Sequence, residues 1–201
     1  LAGHETTGNL MTWTMYVLMT NEQVLRACRE EVDLILPEDT DITYEHINQL
    51  AICEAVLYET LRLYPPAPLF ARHCIHEHTI GSEHHQRLFI PAHTTIVINT
   101  YLLHRRADFW PRPLEFDYTR WIRNPATGLK PKLPHPFCYL PFAAGPRNCI
   151  GQNFALLEAK VILALLLKWC TFELEPNQKI IPEVRITMRP KHGLWAKISK
   201  R

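Results

Sequence analysis

No apolar run in the 201 residues reaches the roughly 20 that a bilayer crossing needs. The most apolar stretch, Phe154 to Trp169, is interrupted by Glu158 and Lys160 and is expected to be a core helix. The six cysteines (Cys28, Cys53, Cys74, Cys138, Cys149, Cys170) contain no C-x-x-C pair and no short spacing of a disulfide framework, so a reducing compartment is the simplest expectation. A Lys/Arg block and an aromatic-basic ladder are both missing. With a net charge of only +2, this argues against a nucleic-acid partner. Internal repeats and linkers are absent too. Apolar residues at 47% and charged residues at 21% exclude disordered, collagen-like and coiled-coil chains.

What is present is a cysteine in a particular loop. Phe142-Ala-Ala-Gly145-Pro-Arg147-Asn-Cys149-Ile-Gly151 brackets the sulfur with glycines. Asn153 to Trp169 follows at once, without Gly or Pro and rich in helix formers. Cys149 is therefore expected at a helix N-terminus, where backbone N–H groups and the positive dipole end favour a thiolate. Gly145 and Gly151 let the backbone turn tightly and lie flat beside a large planar ligand. Arg147 supplies a permanent forked cation for an anionic group on that ligand. This combination suits a thiolate ligand to haem iron, a donor that favours O–O cleavage. Taken alone, the loop is equally compatible with a structural cysteine beside a glycine turn.

Three other segments decide between these readings. Ala2-Gly3-His4-Glu5-Thr6-Thr7 places an acid beside a hydroxyl, a pair able to relay protons to bound oxygen, although Glu-Thr-Thr is also a common way to open a helix. Glu59-Thr-Leu-Arg62 sets a carboxylate and a guanidinium three apart on one helical face. If exposed, such a pair carries little energy. Arg72 follows ten residues later, beyond the helix-breaking Tyr64-Pro65-Pro66.

With these four segments the sequence resembles the cytochrome P450 superfamily. Residues 142 to 151 match every fixed position of its haem loop, Phe-x-x-Gly-x-Arg-x-Cys-x-Gly. The resemblance implies a mainly α fold with small β-sheets, the C-terminal half of the P450 fold. Residues 1 to 201 would be part of one catalytic domain about twice as long, with the N-terminal half absent. It also implies haem b, with Cys149 as the iron ligand and Arg147 and Arg72 on the propionates. Phe142, Gly145 and Gly151 would shape the loop, and Gly3 would loosen the distal helix to make room for O₂. Glu5 and Thr6 would deliver protons. Glu59, Arg62 and Arg120 would form a buried triad holding the loop region. Partners would be O₂, an apolar organic substrate and an external electron donor, either a flavoprotein reductase or a ferredoxin, since the chain carries no nucleotide fingerprint or flavin segment.

The implied activity is monooxygenation. A fatty acid or other lipid is suggested by the Ala-Gly-His-Glu-Thr-Thr and Ile-Gly-Gln-Asn-Phe-Ala strings. Substrate contacts would come from Ala67 to Ala71 and from Ile186 and Thr187. The alternatives are a haem-thiolate isomerase or peroxygenase, and a truncated non-catalytic fragment. Location would be intracellular, at the endoplasmic reticulum membrane for a eukaryotic member with an N-terminal anchor and cytoplasmic otherwise. The sequence departs from the family pattern at Tyr118, where the meander usually has Pro, and at His104-Arg105-Arg106-Ala107. Ala2 stands where some fatty-acid hydroxylases carry a haem-linking Glu, which excludes a covalent link by that route.

Local signals predict the elements. The first helix runs through Leu18, and Thr20 to Gln23 reads as a capping box opening a second helix to Leu36 before Pro37. A short helix is expected from Thr43 through Leu50, and another over residues 52 to 64. Strands are expected over 94–98, 186–188 and 194–198, and the proline-rich stretch 105–147 as a long irregular segment. Met11, Met15 and Met19 read as core packing. His73, His76, His78, His84 and His85 read as a solvated hairpin and not a metal site. Arg123, Lys130 and Lys132 read as a basic face for an acidic donor or a solvated loop.

Overall fold

The computed structural model describes residues 2–36, 42–82 and 86–201. Pro37, expected to end a helix, and His84 and His85 lie outside the described residues. The elements in order are α1 (Ala2–Thr20), α2 (Glu22–Ile35), α3 (Tyr44–Gln49) and α4 (Ala51–Leu63). Strands β1 (Leu69–His73), β2 (His78–Ile80), β3 (Leu88–Ile90) and β4 (Thr95–Asn99) follow, with the short α5 (Thr100–Leu103) after them. A 3₁₀ turn (Tyr118–Trp121) interrupts the irregular segment before α6 (Gln152–Trp169). The tail holds β5 (Cys170–Leu174), β6 (Pro182–Val184), β7 (Met188–Pro190) and β8 (Ala196–Lys200). Among the described residues the strands pair antiparallel in twos: β1 with β4, β2 with β3, β5 with β8, and β6 with β7. The fold is helix-rich with small sheets, as expected.

One core joins α1, α2, α4 and α6. Leu10, Met11, Met15 and Leu18 of α1 pack with Val32, Val56, Leu57, Leu61, Leu163 and Leu167, so the methionine stripe is core packing, with Met19 at its edge. Each of these buried aliphatic side chains contributes about 1.5–3 kcal/mol of transfer free energy. Lys160 is buried inside this core. Its Nζ donates to Ile47 O at 3.0 Å, and burial pushes the ammonium pKa down. Cys28 and Cys53 are also buried here; their mutual hydrogen bond first, and burial second, push the Cys53 thiol well up, which keeps it protonated.

Some local expectations need correcting. Thr20 does not cap α2: it is the last residue of α1, and its hydroxyl turns back to the carbonyls of Tyr16 and Val17. Asn21 occupies the cap position without a side-chain capping bond, its amide donating back to Val17 O and Thr20 Oγ1. A Thr in the final turn can satisfy its own helix's orphan carbonyls, and that option wins here. The capping box is found instead at Thr43, whose hydroxyl accepts from His46 N while His46 Nδ1 accepts from Thr43 N. The start of α4 is capped from a distance: Glu31 in α2 accepts from Ile52 N at 2.7 Å and Cys53 N at 2.8 Å. The tail strands sit about two residues later than predicted, at Met188–Pro190 and Ala196–Lys200, because residues 185–187 form a bend closed by Arg185 N donating to Thr187 O at 3.2 Å.

The irregular segment is ordered by aromatic packing. Trp110, Trp121 and Cys138 form a second buried cluster with Ala55, and Tyr139 lies 4.5 Å from the Trp121 ring centroid. Beside this cluster, His104 is fully buried. Its Nε2 accepts from Leu140 N at 2.8 Å, and its carbonyl accepts from Arg62 Nη1 at 2.9 Å. The residue thus ties the approach to the cysteine loop to α4.

Burial, before any neighbouring charge, pushes the His104 pKa from 6.5 down to about 3. The unfolded chain binds this proton below pH 6.5, and the folded chain does so only near pH 3. The associated stability is complete above pH 6.5 and is lost as pH falls through that window, at up to about 1.4 kcal/mol per pH unit. Urea unfolding at pH 7 and pH 5 is expected to show a larger loss for the wild type than for His104→Gln. Equal losses would show that His104 is not the group responsible.

Candidate haem-thiolate site

The cysteine loop is a chain of tight turns held by its own backbone. Ala143 N donates to Leu140 O, Asn148 N to Gly145 O, and Cys149 N to Phe142 O at 2.9 Å. Gly145 has φ +80°, in the left-handed region where a side chain costs roughly 1–2 kcal/mol. Ala143 stands there as well, at φ +59°. Gly151 is the N-cap of α6, and its carbonyl accepts from Ala155 N at 2.8 Å. A Cβ on Gly151 would lie 4.0 Å from the Cys149 sulfur. The loop therefore sets Cys149 just ahead of the positive end of an 18-residue helix.

Cys149 and its neighbour Ile150 are exposed, unlike Cys28, Cys53 and Cys138. A Cβ on Gly145 would meet nothing within 4 Å, so one side of the loop is an open face. Arg72, in β1, reaches that loop: its Nη2 donates to Ala144 O at 3.5 Å, with its guanidinium over the Phe70 ring. Arg147 is exposed and makes no ion pair among the described residues. A thiol beside a helix N-terminus, one open glycine, the Arg72 guanidinium reaching the loop and an exposed Arg147 within it make a donor set that fits an anionic iron porphyrin.

The Glu59–Arg62 pair is buried and densely hydrogen-bonded. Both side chains are 0% exposed. Arg62 forks onto the carboxylate, with Nε to Oε2 at 2.9 Å and Nη2 to Oε1 at 2.8 Å. Its remaining protons go to the carbonyls of His104, Pro113 and Glu115. Glu59 also accepts from Asp117 N at 2.9 Å and Trp121 Nε1 at 2.8 Å. Arg120 comes within 3.4 Å of the carboxylate as an ion pair, while its Nη2 donates to Pro111 O. The three expected residues thus meet, and Glu59 and Arg62 by themselves bind residues 104–121 at five backbone or indole groups. Glu59 and Arg62 were legible as a spaced pair. Asp117, Trp121 and His104 were not, because nothing local marks a residue that contributes one backbone atom or one ring nitrogen to a distant group.

Glu5 and Thr6 are adjacent in sequence but are bonded apart. Thr6 Oγ1 donates to Ala2 O at 2.7 Å, while Glu5 Oε1 accepts from Thr187 Oγ1 at 2.5 Å. Thr7 is buried, and its hydroxyl has no partner among the described residues. Gly3 was expected to loosen the helix, yet Ala2–Thr20 is continuous α-helix. The space is there without a kink, since a Cβ on Gly3 would meet nothing within 4 Å. Residues flanking the two expected substrate stretches meet, since Met188 N donates to Pro66 O at 2.9 Å; nearby, Tyr64 stacks on Trp13 at 4.3 Å.

Elsewhere, Arg123 pairs with Glu54 at 3.0 Å, and Lys130 lies 3.6 Å from the same carboxylate. Two of the three expected basic residues therefore share an acid. Of the expected histidines, His73 ends β1 and His78 begins β2, and no group of three or more metal-ligating side chains forms among the described residues.

Comparison with known proteins accords with this geometry. The cytochrome P450 family profile matches residues 1–196. Human cytochrome P450 4V2 is 37% identical over 99% of this chain and 36% of its own length. The 11-oxo-beta-amyrin 30-oxidase of Glycyrrhiza uralensis is 37% identical over 96% of this chain and 35% of its own. The crystal structure of the cytochrome P450DA heme domain superposes with a TM-score of 0.85 at 30% identity, covering 98% of this chain and 42% of that one.

Fold and family profile together place the chain among haem-binding proteins of the mainly α type. The chain belongs to the cytochrome P450 family, whose members are haem- and iron-binding oxidoreductases. It spans a little over a third of the length of the curated relatives it matches. No helix among the described residues is long and apolar enough to cross a membrane.

Proposed function

We propose that these 201 residues form the C-terminal part of a single catalytic domain that inserts one oxygen atom of O₂ into an apolar organic substrate, drawing electrons from a separate flavoprotein reductase or ferredoxin. The observation that carries this reading is the exposed Cys149 sulfur, held before α6 by a backbone-bonded glycine loop onto which Arg72 converges. Haem b, when bound, supplies the O₂ chemistry through its iron. Cys149 would ligate it, Arg147 and Arg72 would neutralise its carboxylates, and Phe142, Gly145 and Gly151 would shape the loop beneath it. Gly3 would leave room beside the first turn of α1, and Glu5 and Thr6 would hold and pass protons. Glu59, Arg62 and Arg120 act on folding and haem retention through the segment they bind.

The substrate reading is a lipid. Its support is the motif likeness to fatty-acid hydroxylating members, and one relative is named an 11-oxo-beta-amyrin 30-oxidase. Exposed Ile186 and Leu69, on the two stretches flanked by the Met188–Pro66 bond, offer apolar contact.

The test is the Soret band of the reduced carbonyl complex of the complete protein. A strongly red-shifted band is expected, and an unshifted band would remove the thiolate reading. Arg72→Ala and Arg147→Ala are each expected to lower haem occupancy at limiting haem, measured by pyridine haemochrome. No change in either would leave the propionate assignment without support.

A further inference from the structure

The tail docks on one edge of α1 through a line of polar groups. Glu5, Asn9 and Trp13 are spaced by four, so they share a helical stripe. All three meet the same two tail residues. Thr187 Oγ1 donates to Glu5 Oε1 at 2.5 Å, Asn9 Nδ2 donates to Thr187 Oγ1 at 3.0 Å, and Trp13 Nε1 donates to Met188 O at 3.2 Å. Thr187 is buried, Trp13 is fully so, and Trp13 is clamped further by the stacked Tyr64 ring. The meeting point is therefore rigid.

A hydroxyl carries one proton and can accept besides. Because Thr187 accepts from the Asn9 amide, its own proton is directed to the Glu5 carboxylate. The result is a one-way chain, amide to hydroxyl to carboxylate, in which the hydroxyl both accepts and donates. Thr6 takes no part, since its hydroxyl closes onto Ala2 O.

We propose that Thr187 is the positioning residue for Glu5: it fixes the acid of α1 to the tail turn, so that the direction in which the carboxylate faces is set by a residue 182 positions away. The inference rests on the reading of Glu5 as a proton-carrying group. It makes the tail turn a part of proton delivery as well as a wall of the substrate region.

The test uses the complete haem-loaded protein with a flavoprotein reductase and NADPH, comparing wild type, Thr187→Val, Thr187→Ser and Glu5→Gln. Valine keeps the shape of threonine and removes the hydroxyl, and serine restores the hydroxyl. Two readouts are taken. The first, infrared difference spectroscopy with labelled glutamate, follows the carboxylate stretch that disappears in Glu5→Gln and needs no turnover. The second is the rate of O₂ consumption in H₂O and D₂O without organic substrate.

Thr187→Val is expected to shift the Glu5 band, to slow O₂ consumption about tenfold, the lower range for outer partners of a site, and to raise the solvent isotope effect. Thr187→Ser is expected to restore all three. A Glu5 band unmoved by Thr187→Val overturns the inference even where Glu5→Gln slows the reaction. A Glu5→Gln variant with wild-type rate and isotope effect removes the proton-carrying role of Glu5, and the inference with it.

Discussion

Cys149→Ser is expected to abolish the red-shifted Soret band of the reduced carbonyl complex and to lower turnover sharply, because the thiolate donor that favours O–O cleavage is removed. The change is confined to one atom. Serine keeps the backbone bond from residue 149 to Phe142 O, and the side chain it replaces is exposed, not packed in the core. Folding stability should therefore stay within about 0.5 kcal/mol of wild type, as for surface substitutions in general. An alkoxide donor is harder and far less available near neutral pH than a thiolate, so the electron release that favours O–O cleavage is lost. Equal unfolding midpoints with unequal spectra would separate ligation from folding. A Ser variant that keeps the red-shifted band would remove Cys149 from the metal.

The second large effect falls on stability. Arg62→Ala is expected to cost at least about 3–5 kcal/mol, the range for breaking a buried ion pair by deleting one partner. It leaves the Glu59 carboxylate at 0% exposure without its bidentate partner and also orphans the carbonyls of His104, Pro113 and Glu115. Glu59→Ala strands the guanidinium and orphans the Asp117 N–H and the Trp121 indole N–H, so its cost should be of the same order. Arg62→Lys should fail to rescue, because a point charge on a flexible stem cannot reach both carboxylate oxygens and three carbonyls at once. Denaturant unfolding of the three variants checks these costs. An Arg62→Lys variant with wild-type stability would show that the fork is dispensable.

Both effects concern residues that the sequence marked, yet they differ in how much of the site was legible. For Cys149, local sequence carries nearly everything: two glycines, an arginine and an uninterrupted helix former run state the turn, the charge and the dipole within 28 residues. For Glu59 and Arg62 only the i, i+3 spacing is local. That the pair is buried, and that it organises 104–121, depends on Trp110, Trp121 and Tyr139 closing over it. The capping-box error at Thr20 has the same origin. A hydroxyl between two helices can serve either one, and the choice depends on which carbonyls are left orphaned. The Glu5–Thr6 pairing, natural from adjacency, gives way to Glu5–Thr187 because consecutive helical residues point about 100° apart, and the tail arrives on the face of Glu5.

Sequence alone determined the family, the helix-rich class, the metal-ligand candidate and the charged pair, since each of these is written in residue type and spacing over a few turns of chain. Tertiary structure alone decided which groups hold them: Thr187 on Glu5, His104 under Leu140, Glu31 at the start of α4, and Trp121 on Glu59. These bonds join residues 21 to 182 positions apart. A hydrogen bond reports its partner only when both ends are placed, and packing, which no short window of sequence contains, does the placing.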